Sequence, residues 1–170
     1  MDKVVALSIG TFFLLAISSL TYNHITKLKS HRSKQESITA IMQYQMPHVL
    51  TRCKKDYKYS DEDVVILEQE FKRFMALSLY ESSDGLGTGM FSSDVDNLWH
   101  SFLLFTKEYA DFCHEHIGHF VHHVPELDEE KSIEQRQAAL KDFQAFIQNY
   151  EAIFHEELHP IWLLDMCEAS

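Results

Sequence analysis

Glycine and proline are scarce in this chain, five and three in 170 residues. Both residues punctuate strands and hairpins, and no long period-two apolar alternation appears, so a sheet protein is not expected. Cysteine is rare as well: Cys53, Cys113 and Cys167 form an odd set with no C-x-x-C pair. That excludes a disulfide framework and points to a reducing compartment. Basic residues are thin beyond position 34. The formal net charge is −11, yet residues 1–34 hold Lys3, Lys27, Lys29, Arg32 and Lys34 against Asp2 alone. The remainder is strongly acidic and repels a phosphate backbone, so no nucleic acid is expected as a partner. Such a body suits a protein partner with a basic surface. No internal repeat or low-complexity tract is present.

The apolar content is concentrated in two ways. Near the start, residues 4–20 read VVALSIGTFFLLAISSL, and no charged side chain interrupts the run between Lys3 and Lys27. Seventeen to twenty-three helical residues reach roughly 26–34 Å, enough for a bilayer core. A cleaved signal peptide is the rival, with Ala16-Ile17-Ser18 as its cleavage site and export as its consequence. The basic cluster follows the apolar run instead of preceding it. The expectation is therefore an uncleaved single-pass membrane anchor with the domain facing the cytoplasm.

Elsewhere, apolar residues recur every three to four positions. Three serines precede such stretches in the S-x-x-[DEQ] capping pattern: Ser60 with Asp63, Ser93 with Asp96, and Ser132 with Gln135. After them follow Val64, Leu67 and Phe71; Leu98, Phe102 and Phe105; Leu140, Phe143 and Ile147. Each set lines one face of a helix. A further helix is expected over about 35–55, kinked or interrupted by Pro47. The glycine-rich stretch GLGTG (85–89) follows a helix and lacks a Walker lysine, so it reads as a linker and not a phosphate cradle. The fold class predicted is all-α, a small helical bundle with an N-terminal transmembrane helix. Residues 1–30 form the anchor and basic flank, 31–59 a juxtamembrane helix or linker, and 60–165 the helical domain.

Val95-Asp96-x-x-Trp99-His100, followed by Thr106, Tyr109, Phe112-Cys113, Gly118 and His122-His123-x-Pro125, resembles the glycine-rich domain-containing protein family, in its short bacterial form. The stretch FKRFMALSLYES (71–82) is similar to the helix before that block, and NYEAIFHEELHPIW (149–162) to the closing segment. The resemblance implies a compact helical domain and no established activity. Where the family shows Phe-Gly, this chain has Phe154-His155.

Histidine is the abundant chemistry-bearing residue, with eleven copies. Two clusters stand out. Asp96 and His100 are four apart near a helix start, so the carboxylate can orient the imidazole. Cys113, His116, His119, His122 and His123 form the second, a donor set suited to Zn²⁺ or another divalent transition metal. Along one continuous helix from Trp99 to His116, His100 and Cys113 would stand about 20 Å apart, which keeps the clusters separate. HEELH (155–159) matches the zinc-protease pattern H-E-x-x-H, but Pro160 biases His159 out of helical geometry. The functional expectation is a membrane-anchored, cytosol-facing binding or scaffolding module of unassigned biochemical role. At the Cys/His cluster, metal binding stands beside a packed structural cysteine with a solvated histidine loop and beside a pH-responsive loop. A metal-dependent enzyme using the same residues is the alternative.

Overall fold

The computed structural model describes residues 33–80, 89–123 and 132–163; their regular structure is helical, with no strand among them. The apolar run at 4–20 lies outside these residues. No described helix is long and apolar enough to cross a membrane. The chain divides into two compact units, Met1–Ser37 and Ile38–Ser170. Of the first, only 33–37 are described, and they are helical.

The second unit holds the core. Helix α1 runs over 33–43, and its residues from 38 onward belong here. Helix α2 (Pro47–Tyr57) starts with proline at its first turn, where the missing N–H costs nothing. Pro47 thus separates two helices instead of kinking one. Ile38, Ile41, Met46, Val49 and Cys53 are all buried, so residues 38–57 contribute to the same core as the helices after them.

Helix α3 (Asp61–Leu77) opens with the capping box foreseen at Ser60 and Asp63. Accepting the Ser60 backbone N–H holds the Asp63 carboxyl below the usual range. Asp61, Glu62 and Asp63 together face the positive end of the helix dipole. The second half of α3, Glu70 to Leu77, is buried on every side. It is the central rod, and its charges are paired: Lys72 donates to Glu68 Oε1 at 2.7 Å and Arg73 to Glu70 Oε1 at 3.1 Å.

Helix α4 (Ser93–Leu103) packs against both α2 and α3. Its cap is Ser92, one residue earlier than the spacing suggested; Ser92 Oγ accepts from the Val95 N–H. Asp96 is thereby released from capping. After α4 the chain breaks. Leu104 is 61% exposed, Phe105 takes a non-helical backbone, and its N–H bonds the Phe102 carbonyl. Helix α5 (Thr106–Phe112) then starts in a new direction and runs into a π turn over Cys113–Ile117. Gly118 ends it at φ +91°, a conformation glycine adopts without penalty.

The continuous helix expected from Trp99 to His116 is therefore corrected to two helices and a π turn. The reason is visible in one bond. Trp99 Nε1 donates to Tyr109 Oη at 3.0 Å. Ten residues of straight helix rise about 15 Å, so this bond needs the chain to turn between them. The turn also brings the Phe102 and Tyr109 rings within 5.2 Å and Phe102 and Phe112 within 5.5 Å.

Helix α6 (Ile133–Phe154) begins with the capping box of Ser132 and Gln135 and lies against α3. Phe143, Phe146 and Tyr150 face inward. His155, with φ +55°, ends it, and a short 3-10 turn over Pro160–Trp162 returns the chain to α3.

Candidate metal centre

Two stretches far apart in sequence build the site. Helix α4 places Asp96 and His100 one turn apart on the same face. The segment after Gly118 folds back and lays His123 beside them. His123 Nε2 lies 2.6 Å from Asp96 Oδ1, and His100 Nε2 lies 3.6 Å from Asp96 Oδ2. The two imidazole rings are 4.5 Å apart between centroids. One ligand atom from each of Asp96, His100 and His123 falls within 4.8 Å of the others.

The site is graded from dry to wet. The His123 side chain is 9% exposed, Asp96 23% and His100 44%. On the dry side the Trp99 indole meets the His123 ring edge-on at 4.6 Å. Behind that indole, Tyr109 Oη accepts from Trp99 and donates to the Val121 carbonyl at 2.7 Å. Two imidazoles and a carboxylate are borderline-to-hard donors that suit a divalent transition metal.

The five residues of the expected Cys/His cluster do not converge. Cys113 is fully buried, and burial pushes its thiol up, away from the thiolate a metal requires. His116 packs on Phe112 and Tyr44 at 5.4 and 5.5 Å. His119 is exposed. His122 points into solvent beside Phe120. His123 alone leaves that group, and it joins the Asp96–His100 pair. One member of the second cluster drawn from spacing thus passes to the first. His100 and Cys113 stay in different donor sets, while the break at Leu104–Phe105 makes their surroundings adjoin through Tyr109.

Two other polar groupings need placing. HEELH is not a ligand helix: His155 is the left-handed helix end, and His159 Nδ1 accepts from the Ile161 N–H. Glu156 is drawn to Arg73 Nη2 at 2.6 Å. That arginine belongs to a buried cluster the spacing gave no sign of. Glu70 Oε2 accepts from Trp162 Nε1 at 2.7 Å and from Tyr150 Oη at 3.0 Å, while Arg73 also donates to Tyr150. A cue existed in Glu70 and Arg73, charged residues within an apolar run, since buried charges require partners.

Residues 34–168 match the family described as UCP032817-like. No curated protein and no solved structure matches the chain. The match spans most of the sequence and overturns the resemblance drawn from the Trp-His and His-His-x-Pro pattern. In the structure Trp99 of that pattern serves packing, and His100 and His123 join Asp96 in a three-residue polar cluster. The chain belongs to the UCP032817-like family and not to the glycine-rich domain-containing proteins.

Proposed function

We propose that this chain is an acidic helical binding module that carries one divalent transition-metal ion on Asp96, His100 and His123. The observation supporting it is the convergence of three donor side chains, from α4 and from the segment after Gly118, within 4.8 Å. Donors about 2.1 Å from a tetrahedral ion lie roughly 3.4 Å apart. The Asp96–His100 separation of 3.6 Å is near that value, and the half-exposed His100 side chain is free to adjust. Water or an external ligand completes the shell from the His100 side.

The test is metal content. The 170-residue chain, loaded with Zn²⁺ and desalted, is expected to retain one ion by mass spectrometry. Asp96→Ala and His123→Ala should lose it, and Cys113→Ala and His122→Ala should keep it. A metal-free wild type, or an ion retained in Asp96→Ala, overturns the reading.

The exposure of His100 supports a second reading, a metal-dependent enzyme. An ion with open positions can lower the pKa of bound water and supply a nucleophile. Zn²⁺-dependent turnover abolished by His100→Ala distinguishes it from a binding module.

We further propose that residues 4–20 hold the module at a membrane with its body on the cytoplasmic side. The support is the uncharged run ended by Lys27, Lys29, Arg32 and Lys34. The buried Cys53 and Cys113 are poor reporters of sidedness. A cysteine introduced as Lys34→Cys should escape a membrane-impermeant maleimide in intact cells. Its labelling there would reverse the orientation.

A further inference from the structure

The segment that carries His123 is the weak member of the site. Residues 119–123 belong to no helix. Among the described residues, its polar anchors are the Val121 carbonyl, which accepts from Tyr109 Oη, and His123 itself on Asp96. Asp96 and His100, by contrast, ride on a regular helix capped by Ser92. A ligand on an irregular segment is only as well placed as the bonds holding that segment.

Tyr109 supplies that hold in two directions. Its ring is buried against Phe102 at 5.2 Å and Phe120 at 5.2 Å, which fixes where the hydroxyl sits. The Trp99 indole N–H donates to the hydroxyl oxygen, which leaves the hydroxyl proton for the Val121 carbonyl, two residues before His123. The same indole meets the His123 ring edge-on. One oxygen atom therefore ties α4, α5 and the His123 segment into a single frame, while touching none of the three donor side chains.

We infer that Tyr109 is the positioning residue of the ion site, setting its affinity and coordination geometry through the Val121 carbonyl. This deepens the metal-binding reading and rests on it. Partners one step removed from a metal ligand typically change affinity 10–100-fold when lost. Removing the hydroxyl leaves the Trp99 N–H and the Val121 carbonyl without their common partner and lets His123 swing relative to Asp96. Deleting a buried hydroxyl elsewhere should not do this.

The experiment is a Co²⁺ titration of the 170-residue chain, followed by its visible absorption bands, which report coordination number and symmetry. Tyr109→Phe is expected to bind Co²⁺ about 10–100-fold more weakly, with shifted bands. Tyr150→Phe removes a buried tyrosine hydroxyl in the α3–α6 cluster and is expected to keep wild-type affinity and spectrum. If Tyr109→Phe does not fold, Trp99→Phe decides, because it removes the donor that orients the hydroxyl; weaker binding with altered bands supports the inference. Wild-type affinity and spectrum in the folded variant overturn it. Equal weakening in Tyr150→Phe overturns it too, since the effect would then be general loss of stability. A wild type that binds no Co²⁺ sinks the metal-binding reading itself, an outcome distinct from these.

Discussion

Glu70 is 1% exposed and accepts hydrogen bonds from Arg73, Tyr150 and Trp162; Asp96 is 23% exposed, touches His123, and stands 3.6 Å from His100. Both carboxylates sit among aromatic rings in the same unit, yet they are arranged for different ends. Around Glu70, nearly every donor and acceptor is answered by protein. The Arg73 guanidinium also lies over the Tyr150 and Phe154 rings at 5.4 and 5.3 Å, and its Nε is the single buried side-chain atom without a partner among the described residues. Such a cluster is closed: it joins α3, α6 and the turn at Trp162, and it has little left with which to bind anything. Around Asp96, two imidazoles face one carboxylate and the wet side is open. Unspent bonding capacity at a partly exposed site is what a ligand requires, and full satisfaction in a dry one is what a fold requires.

The sharpest way to break this contrast is to remove Glu70. Glu70→Ala leaves the Trp162 N–H without its acceptor and leaves Arg73 with only the exposed Glu156 as a charge partner, and breaking a buried pair typically costs about 3–5 kcal/mol. Urea denaturation is expected to show a loss of that size, with ion binding at Asp96 intact wherever the variant is folded. A loss below about 1 kcal/mol would mean that the cluster is not the closed tie described. The converse is Asp96→Asn. It should weaken metal retention severely while lowering stability by only about 1 kcal/mol, because its neighbours still reach water. A stability loss as large as that at Glu70 would erase the distinction.

A smaller effect appears at alkaline pH. Burial, with Glu70 beside it, pushes the Tyr150 hydroxyl up to about 12. The folded state thus prefers neutral Tyr150 more than the unfolded chain does. The stabilisation is complete below the ordinary tyrosine pKa near 10, and it is lost as pH rises from there through about 12. Thermal melts between pH 9 and 12 should show a shallower decline for Tyr150→Phe than for wild type; parallel curves would refute the coupling. The smallest effect is expected at Lys107. Its pair with Asp111 is 2.5 Å long, but the lysine side chain is 89% exposed, so Lys107→Ala should leave the denaturation midpoint unchanged within error.

Much of the helical layout could be read from residue spacing. The caps at Ser60 and Ser132 and the helix end at Gly118 are local devices, set by side chains within a few residues of each other. The cap of α4 shows the margin of such reasoning. Ser92 and Ser93 are adjacent and both precede acidic residues, and only packing chooses between them. That one-residue difference turns Asp96 from a capping group into a donor for the site. The break at Leu104–Phe105 was not legible at all. No proline or glycine marks it, and the apolar spacing continues through it; what interrupts the helix is the long-range gain from turning Tyr109 and Phe112 onto Phe102 and Trp99.

By itself, then, the sequence determined the helical character of the described residues, the acidic character of the body, the helix starts at Ser60 and Ser132, and Asp96 and His100 as neighbours on one helix face. Those follow from short-range periodicity and from charge, which need no knowledge of what lies across the core. Only the tertiary structure decided that His123 leaves the other histidines to complete the site, that Cys113 is packed away behind Tyr109, and that Glu70 and Arg73 close a cluster with Tyr150 and Trp162 about eighty to ninety residues later. Contacts at that separation depend on which buried groups must find partners once the helices are packed, and nothing in the local pattern of residues specifies the pairing.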